Sequence, residues 1–257
     1  MRAHGRSFAF ATRFLPAAAR PDVSTLYAFC RVVDDLVDEP SDVAPEEVRR
    51  QLEGWQRWLA TSPVPPKGSE LTTALAAVVN RHGIPASHLV ELVEGCKADL
   101  AARAFQTFDE LRHYCYQVGA TVGLAMCPIV GVHDPRGLGC ARDLGIAMQL
   151  TNVIRDVPED VAMDRHYLPA EEVALFGDDL PRLIEFQCAR ARDYYQAGCA
   201  GIRWVQPGAQ FAIRLAATLY EAILDKVAQQ GYDPYAGRAS TSLWEKVWLA
   251  VKLRLGG

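Results

Sequence analysis

Residues 149–160 constrain the fold of this chain more than any other stretch. Gln149, Asn152 and Asp156 are spaced three and four residues apart, so they share one face of a helix. Asp160 follows at the next four-residue step, which places the two carboxylates about 6 Å apart along the helix axis. The remaining positions are largely apolar and predict a buried helix. Because a buried carboxylate is costly alone, positive charge is expected against this pair.

A second pair of acids ends an apolar segment near the N-terminus. Asp34 and Asp38 are four residues apart, and Pro40 predicts that their helix stops just after them. Carboxylates in the last turn of a helix face the negative end of its dipole, where they are disfavoured. Pro158 likewise breaks or kinks the second helix between its two acids. The same local conflict at two places indicates a functional site.

The two carboxylate pairs include no His or Cys, and this donor set favours a hard cation such as Mg²⁺ that bridges to phosphates. For either pair alone, a solvated helix face is the commoner role. Two pairs in apolar helices, each preceded by an arginine (Arg31 and Arg155), favour the metal site over that alternative.

Composition limits the classes of protein to consider. The chain has 257 residues, of which 50% are hydrophobic and 23% charged, and we expect one domain over residues 1–257. Its net charge of -4 gives no sign of a nucleic-acid surface. Seven cysteines, mostly within apolar helical patterns, predict reduced thiols of a cytoplasmic protein. We find no run of about 18 apolar residues and expect no membrane span.

Helical patterns follow one another along the chain without convincing strand alternation, which predicts an all-α protein. Glycine-rich nucleotide-binding loops are absent from the sequence. Small residues at Gly119, Ala120 and Gly123 predict a close approach by another helix or a ligand. The predicted helices cover residues 22–39, 45–60, 71–82, 86–103, 109–132, 135–157, 170–176, 180–205, 209–230 and 241–255.

Longer stretches around the acids resemble the squalene and phytoene synthases, which are head-to-head prenyl transferases of the all-α isoprenoid synthase fold. The resemblance is carried in order by residues 4–8, 27–38, 114–123 and 149–169, then by Tyr220 and Arg238. Within the family, bacterial phytoene synthases are the most similar. The chain departs from the family pattern at Pro158, where Gly is usual, and at Asp164. The resemblance implies a single-domain helical bundle with a central active-site cavity.

The resemblance also implies roles for individual residues and a Mg²⁺ cofactor, with Mn²⁺ as an alternative ion. The four acids Asp34, Asp38, Asp156 and Asp160 would be metal ligands and catalytic residues, and Tyr27 and Tyr220 would be catalytic as well. For each arginine taken alone, a surface ion pair is the commoner role, and for the aromatic residues the alternative role is core packing. The substrate-binding residues would be His4, Arg6, Ser7, Phe8, Arg31, Tyr114, Gln149, Asn152, Arg155, Arg165, Tyr167 and Arg238.

The reaction implied is the condensation of two geranylgeranyl diphosphates, through a cyclopropyl diphosphate, to phytoene. Small side chains at Thr12 and Ser24, expected to face the cavity, favour these C20 substrates, and NADPH is not expected for a redox-neutral product. The alternative is condensation of farnesyl diphosphate to presqualene diphosphate, squalene or dehydrosqualene. A non-catalytic relative is a further alternative, disfavoured because all four acids are present.

Residues 242–254 are apolar, aromatic and basic, as helices that lie on a membrane surface are. The favoured interpretation is the last helix of the bundle, with its tryptophan face docked on the core. The alternative is peripheral membrane association, which would bring a cytoplasmic enzyme close to its lipid product.

Overall fold

The computed structural model describes residues 6–38, 43–61, 70–101, 103–132 and 134–256. Within these ranges the chain is almost wholly helical, which confirms the all-α prediction. No described helix is both long enough and apolar enough to cross a bilayer. The α-helices are α1 (Arg6–Thr12), α2 (Arg20–Asp38), α3 (Pro45–Ala60), α4 (Glu70–His82), α5 (Ala86–Ala98), α6 (Phe108–Cys115), α7 (Thr121–Met126), α8 (Pro135–Arg155), α9 (Val157–Val161), α10 (Ala170–Phe176), α11 (Leu180–Cys199), α12 (Pro207–Gln229) and α13 (Leu243–Leu255).

Side-chain caps begin several of these helices. Thr107 caps α6 and Asp134 caps α8, each by accepting a hydrogen bond from a backbone N–H in the first turn. Ser242 and Glu245 form a reciprocal capping box at the start of α13. Each such cap is worth about 1 kcal/mol, so local sequence determines where these helices begin.

The helix predicted over residues 86–103 is wrong at its C-terminal end. There α5 ends at Ala98, and β1 (Arg103–Ala104) instead pairs in parallel with β2 (Arg165–His166). This pairing joins segments far apart in the chain, so local spacing does not reveal it. These two short strands bring the segment after α5 next to the segment after α9.

The helix predicted over residues 109–132 is also interrupted. Between α6 and α7 the chain forms a π-helical turn (Tyr116–Ala120). A Cβ added at Gly119 would lie 2.6 Å from the carbonyl oxygen of Gly145, and one at Gly145 would lie 2.5 Å from the Cα of Ala120. The small residues thus allow the close helix crossing that the sequence predicted. Similarly, α11 gives way to a 3₁₀ turn (Ala200–Trp204) within the helix predicted over 180–205.

The helix α8 is central to the bundle, and it packs against α7, α11, α12 and the π-helical turn. One large hydrophobic cluster is formed mainly by α2 to α5 and α7, and the other by α8, α11 and α12. A smaller cluster joins α1 and α13 to α12. Residues from both large clusters line a cavity between them.

Candidate active site

The cavity runs along α8. Lining residues on and just after this helix extend from Gly137 to Asp156, a distance of about 28 Å at 1.5 Å per residue. Its carboxylates gather where α8 ends, and the rest of the wall is mainly apolar. The apolar lining includes Leu92, Val118, Val122, Met126, Val130, Leu144, Met148, Ile202, Val205 and Ile213. A long apolar space with charge at one end suits an amphiphilic ligand.

All four predicted acids line this cavity. Asp34 and Asp38 lie in the last turn of α2, Asp156 separates α8 from α9, and Asp160 lies in α9. The helix breaks at Asp156, and the backbone N–H of Asp160 still donates to the carbonyl of Asp156 at 2.9 Å. Pro158 therefore leaves the helical spacing of this pair intact, because proline is tolerated in the first turn of a helix.

Arginines neutralise the acids of α2. Arg31 Nη1 lies 2.7 Å from Asp34 Oδ2, and the same guanidinium also pairs with Asp35. Arg165, which follows α9 in the chain, places its Nη1 2.7 Å from Asp38 Oδ1. The ion pair between Arg165 and Asp38 therefore ties the two acidic segments together across the cavity.

Asp156 is held by two arginines. Arg155 Nη2 lies 2.5 Å from Asp156 Oδ2, and both side chains in this pair are 6% exposed. Arg238 Nη2 lies 2.6 Å from Asp156 Oδ1, and its Nε lies 3.4 Å from Glu159 Oε1. Arg155 and Arg238 do not themselves line the cavity, so they act on it through Asp156.

The carboxyl group of Asp34 is poorly stabilised as an anion. Its pKa is raised to about 7, first by burial and then by the negative charge of Asp38. Although 44% of the Asp34 side chain is accessible, the carboxyl group lies in a cleft among protein atoms, so it is only partly hydrated. A cation placed between the two carboxylates would stabilise the ionised form.

Asn152 and Gln149 line the cavity one and two turns before Asp156. Asn152 Nδ2 donates to Gln149 Oε1 at 3.0 Å, whereas Asn152 Oδ1 is buried with no hydrogen-bond partner. An unsatisfied buried acceptor costs about 1–3 kcal/mol. A bound cation, or a donor on a ligand, would satisfy it.

The acids fit a metal ion that arrives with a phosphorylated ligand. Among the described residues, no three His, Cys, Asp or Glu side chains form a group that could hold an ion by themselves. Mg²⁺ is commonly bound by one or two carboxylates and completed by water and substrate phosphates. Two carboxylate pairs beside an orphaned amide oxygen match that donor set.

Asp99 also lines the acidic part of the cavity, and the sequence patterns did not predict it. Tyr114 donates its hydroxyl to Asp99 Oδ2 at 2.7 Å, and Arg103 Nη1 lies 3.3 Å from Asp99 Oδ1. Burial raises the pKa of Asp99 despite the hydrogen bond from Tyr114 and the charge of Arg165. The available signal was an acid at the negative end of an apolar helix, as for Asp38.

Aromatic rings form part of the wall. Phe8 stacks on Tyr27 with ring centroids 4.5 Å apart, and Tyr114 stacks on Tyr167 at 5.1 Å. Tyr220, on α12, also lines the cavity. Burial raises the pKa of Tyr27 and of Tyr220, so both hydroxyl groups stay protonated at neutral pH.

Comparison with known proteins assigns the chain to a family. The model of the squalene/phytoene synthase family matches residues 1–245. The chain belongs to the squalene/phytoene synthase family. Membership makes it an enzyme of the prenyltransferase type, which agrees with the resemblance found in the sequence.

Curated relatives and solved structures of the family span most of the chain. The phytoene synthase of Thermus thermophilus is 35% identical over 264 residues, covering 98% of this chain and 89% of the relative. The 15-cis-phytoene synthase of Synechococcus elongatus is 32% identical over 268 residues, covering 95% and 86%. A dehydrosqualene synthase solved with a ligand superposes with a TM-score of 0.84 and 28% identity, covering 98% and 91%. Squalene synthase HpnC from Alicyclobacillus acidocaldarius gives 0.79 and 26%, covering 88% and 89%.

Two residues assigned from the resemblance to squalene/phytoene synthases cannot be placed, because His4 and the side chain of Arg6 lie outside the described part of the chain. Ser7 is buried on α1 and does not line the cavity. Thr12 and Ser24 were expected to face the cavity, and that expectation is wrong. Ser24 is exposed on α2, and the Thr12 hydroxyl donates to a backbone carbonyl of its own helix at 3.0 Å. Neither residue can therefore set the length of a substrate.

Proposed function

We propose that this squalene/phytoene synthase-family enzyme condenses two geranylgeranyl diphosphates head to head, through a cyclopropyl diphosphate, to phytoene. The observation that carries the proposal is the meeting of Asp34, Asp38, Asp156 and Asp160 at one end of a long apolar cavity. Prenyl diphosphates have the matching form, with a charged head and an apolar chain. The relatives named phytoene synthase support the same reaction class.

We propose Mg²⁺ as the cofactor, with Mn²⁺ as an alternative. Asp34, Asp38, Asp156 and Asp160 would hold the ions, with Asn152 Oδ1 as a neutral oxygen donor beside them. Bound there, the metal supplies Lewis-acid stabilisation of the leaving diphosphate. The raised pKa of Asp34 shows that its anion is poorly stabilised, and the buried oxygen of Asn152 has no hydrogen-bond partner. A bound metal ion would stabilise both groups.

The arginines bind the diphosphate oxygens. Arg31 and Arg165 are already present at the acidic end, where they neutralise Asp34 and Asp38. When a ligand brings cations and phosphate oxygens, each carboxylate can pair with a cation instead of a guanidinium. Each guanidinium can then pair with a phosphate oxygen instead of a carboxylate. Planar guanidinium groups suit this exchange because they bind phosphate with two parallel hydrogen bonds.

The chain's apolar and aromatic residues protect the carbocation. When the C1–O bond of one substrate breaks, diphosphate leaves with the bonding electrons and an allylic cation remains. Phe8, Tyr27, Tyr114 and Tyr220 line the space where the cation forms, and each ring face contributes roughly 1–2 kcal/mol. The surrounding aliphatic wall keeps out water, which would otherwise capture the cation.

The double bond of the second substrate attacks the cation and forms the new carbon–carbon bond. Loss of a proton then closes the cyclopropane ring, and the departed diphosphate is the proposed base, since none of the described histidines lines the cavity. A second ionisation, a rearrangement and loss of another proton give phytoene. No hydride is consumed in these steps, so we expect no requirement for NADPH.

The alternative reaction uses farnesyl diphosphate and yields presqualene diphosphate, squalene or dehydrosqualene. The observation that favours it is the close superposition on a dehydrosqualene synthase, with a TM-score of 0.84. The purified protein should be incubated with Mg²⁺ and each diphosphate separately, and the lipid identified by mass. We expect phytoene from the C20 substrate; turnover of the C15 substrate alone would contradict the proposal.

The proposed reaction converts two diphosphates with water-soluble head groups into a wholly apolar lipid. Such a product leaves the cavity for a membrane more readily than for water. We therefore propose a cytoplasmic enzyme that works at a membrane surface.

A further inference from the structure

The outer face of α13 is an apolar surface that no described part of the chain covers. Trp244 is 82% exposed, Trp248 59% and Leu255 83%. Leu243 and Val251 are exposed on the same side of the helix, because their positions fall within one arc at 100° per residue. Single exposed apolar side chains are ordinary on a protein surface, whereas a contiguous set such as this one marks a site of interaction.

The opposite face of α13 docks the helix on the bundle. Leu249, Ala250 and Leu253 join a cluster with Leu215 and Leu219 of α12. The expectation that the tryptophan face docks on the core is therefore wrong. Both faces of α13 carry apolar side chains, and the inner face packs on the protein through its smaller aliphatic residues and the buried Lys246.

Positive charge borders the exposed face. The Lys252 ammonium lies 5.1 Å from the centroid of the Trp248 ring, and Lys252 is itself exposed. Arg254, on the other edge of the apolar arc, is also exposed. The helix has one acid, Glu245, which pairs with Lys226 and caps the helix N-terminus. The face is therefore apolar with basic edges, on a chain whose net charge is -4.

The apolar surface continues onto neighbouring helices. The Arg254 guanidinium lies 5.4 Å from the Phe211 ring of α12, and Phe211 contacts Phe14 with ring centroids 5.3 Å apart. Phe14, just beyond α1, is 41% exposed, and the preceding Arg13 is exposed as well. Three separate parts of the chain thus contribute to one surface.

We propose that the outer face of α13 docks this protein on a bilayer that carries anionic head groups. Tryptophan and basic residues are the side chains that favour the interface of a membrane. The 13 residues of α13 extend about 20 Å, which suits a helix lying on the surface rather than spanning it. Pairing this face with a second copy would oppose two sets of basic edges without acids to meet them.

This inference identifies the surface for the membrane association proposed above, yet binding to vesicles tests it without any turnover. The probe is vesicles of phosphatidylcholine mixed with an equal part of phosphatidylglycerol, collected by sedimentation. We expect the wild-type protein to bind, and Trp244→Gln/Trp248→Gln to bind about tenfold more weakly because apolar area is lost. Leu175→Gln is the matched control, since Leu175 is 75% exposed on α10, and its binding should equal that of the wild type.

The charge of the face has its own test. Lys252→Gln/Arg254→Gln, added salt, or vesicles of phosphatidylcholine alone should each weaken binding. Thermal unfolding of all variants should match the wild type because the changed side chains are exposed.

Several outcomes would overturn the proposal. One is a wild-type protein that does not bind vesicles, and another is a double tryptophan variant that binds as well as the wild type. A third is a dimer in light scattering that the tryptophan substitutions dissociate. Turnover of detergent-dispersed substrate should be the same in the wild type and the tryptophan variant, so loss of vesicle binding is separable from failure of the proposed reaction.

Discussion

At the residue scale, the acids of the cavity differ in how the protein compensates their charge. Asp156 is held by two arginines in a largely buried group. Asp34 has one arginine, which it shares with Asp35, and its pKa is raised to about 7. Removing charge should therefore lower stability at Asp156 but not at Asp34, although both carboxylates should be needed for activity.

Asp34→Asn should abolish most activity without lowering stability. Because the pKa of Asp34 is raised from 3.8 to about 7, the metal-free native state binds more protons than the unfolded state between these values. This contribution makes stability fall as pH rises through that window. At pH 8 the neutral Asn removes the penalty, so the melting temperature should rise or stay unchanged while product formation falls at least about a hundredfold. Asp109→Asn, at a side chain 81% exposed, should change neither quantity.

Asp156→Asn should lose both activity and stability. The substitution leaves Arg155 buried, at 6% side-chain exposure, without its counter-charge. Breaking such a buried pair costs about 3 kcal/mol. Urea unfolding at pH 8 measures this cost directly. An unchanged free energy of unfolding in Asp156→Asn would show that solvent compensates Arg155 and would contradict the buried pair.

At the scale of elements, α8 is positioned by its close crossing with the π-helical turn. Gly145 faces Gly119 and Ala120 there, at distances that leave no room for a side chain. Gly139 lies on the same helix, and a Cβ added there would meet no atom within 4 Å. The two glycines of one helix therefore form a matched pair, which tests how strongly the stability of the protein depends on this close crossing.

Gly145→Ala should destabilise the protein by at least about 2 kcal/mol, because its new methyl group would lie 2.5 Å from the Cα of Ala120. Gly139→Ala should instead stabilise it by up to about 1 kcal/mol, since alanine favours the helix and meets nothing. Urea unfolding of both variants checks the prediction. Equal effects at the two positions would mean that the crossing is looser than its distances indicate.

Sequence spacing predicted what depends on local geometry. The three- and four-residue steps put Gln149, Asn152 and Asp156 on one cavity wall, and Pro158 marked the break between α8 and α9. Long-range pairing was not predictable in this way, so the end of α5 was placed at residue 103 and Asp99 was not recognised as an acid at the end of a helix.

Helix rotation was a second limit of the sequence. Thr12 and Ser24 were assigned to the cavity by resemblance, yet both point elsewhere because spacing alone does not fix how a helix turns about its axis. For α13, apolar residues on both faces left no periodic signal to indicate which face packs on the protein.

At the scale of the whole molecule, two hydrophobic clusters enclose a cavity that follows α8 for about 28 Å. The acids lie at the C-terminal end of α8, and Ala141 lies near its N-terminal end. A prenyl chain whose diphosphate binds the acids would extend toward Ala141. The available length along α8 is thus the feature that would separate C20 from C15 substrates.

Ala141→Phe should shorten the cavity and shift preference toward the C15 substrate. We expect the ratio of C15 to C20 turnover to rise about tenfold, since a blocked pocket disfavours the longer chain by one or two kcal/mol. Arg142→Phe is the control, because this neighbour is 52% exposed and does not line the cavity. If both variants keep the wild-type ratio of C15 to C20 turnover, the prenyl chain of the substrate does not reach Ala141.

The arrangement of the acids is most directly tested by crystals grown with Mn²⁺ and a thiolo analogue of geranylgeranyl diphosphate that ionises slowly. We expect anomalous scattering from Mn²⁺ between the carboxylates of Asp34 and Asp38 on one side and those of Asp156 and Asp160 on the other. The diphosphate should bind these ions, with its prenyl chain along α8. A diphosphate bound elsewhere, or Mn²⁺ absent from these four carboxylates, would contradict the proposed function.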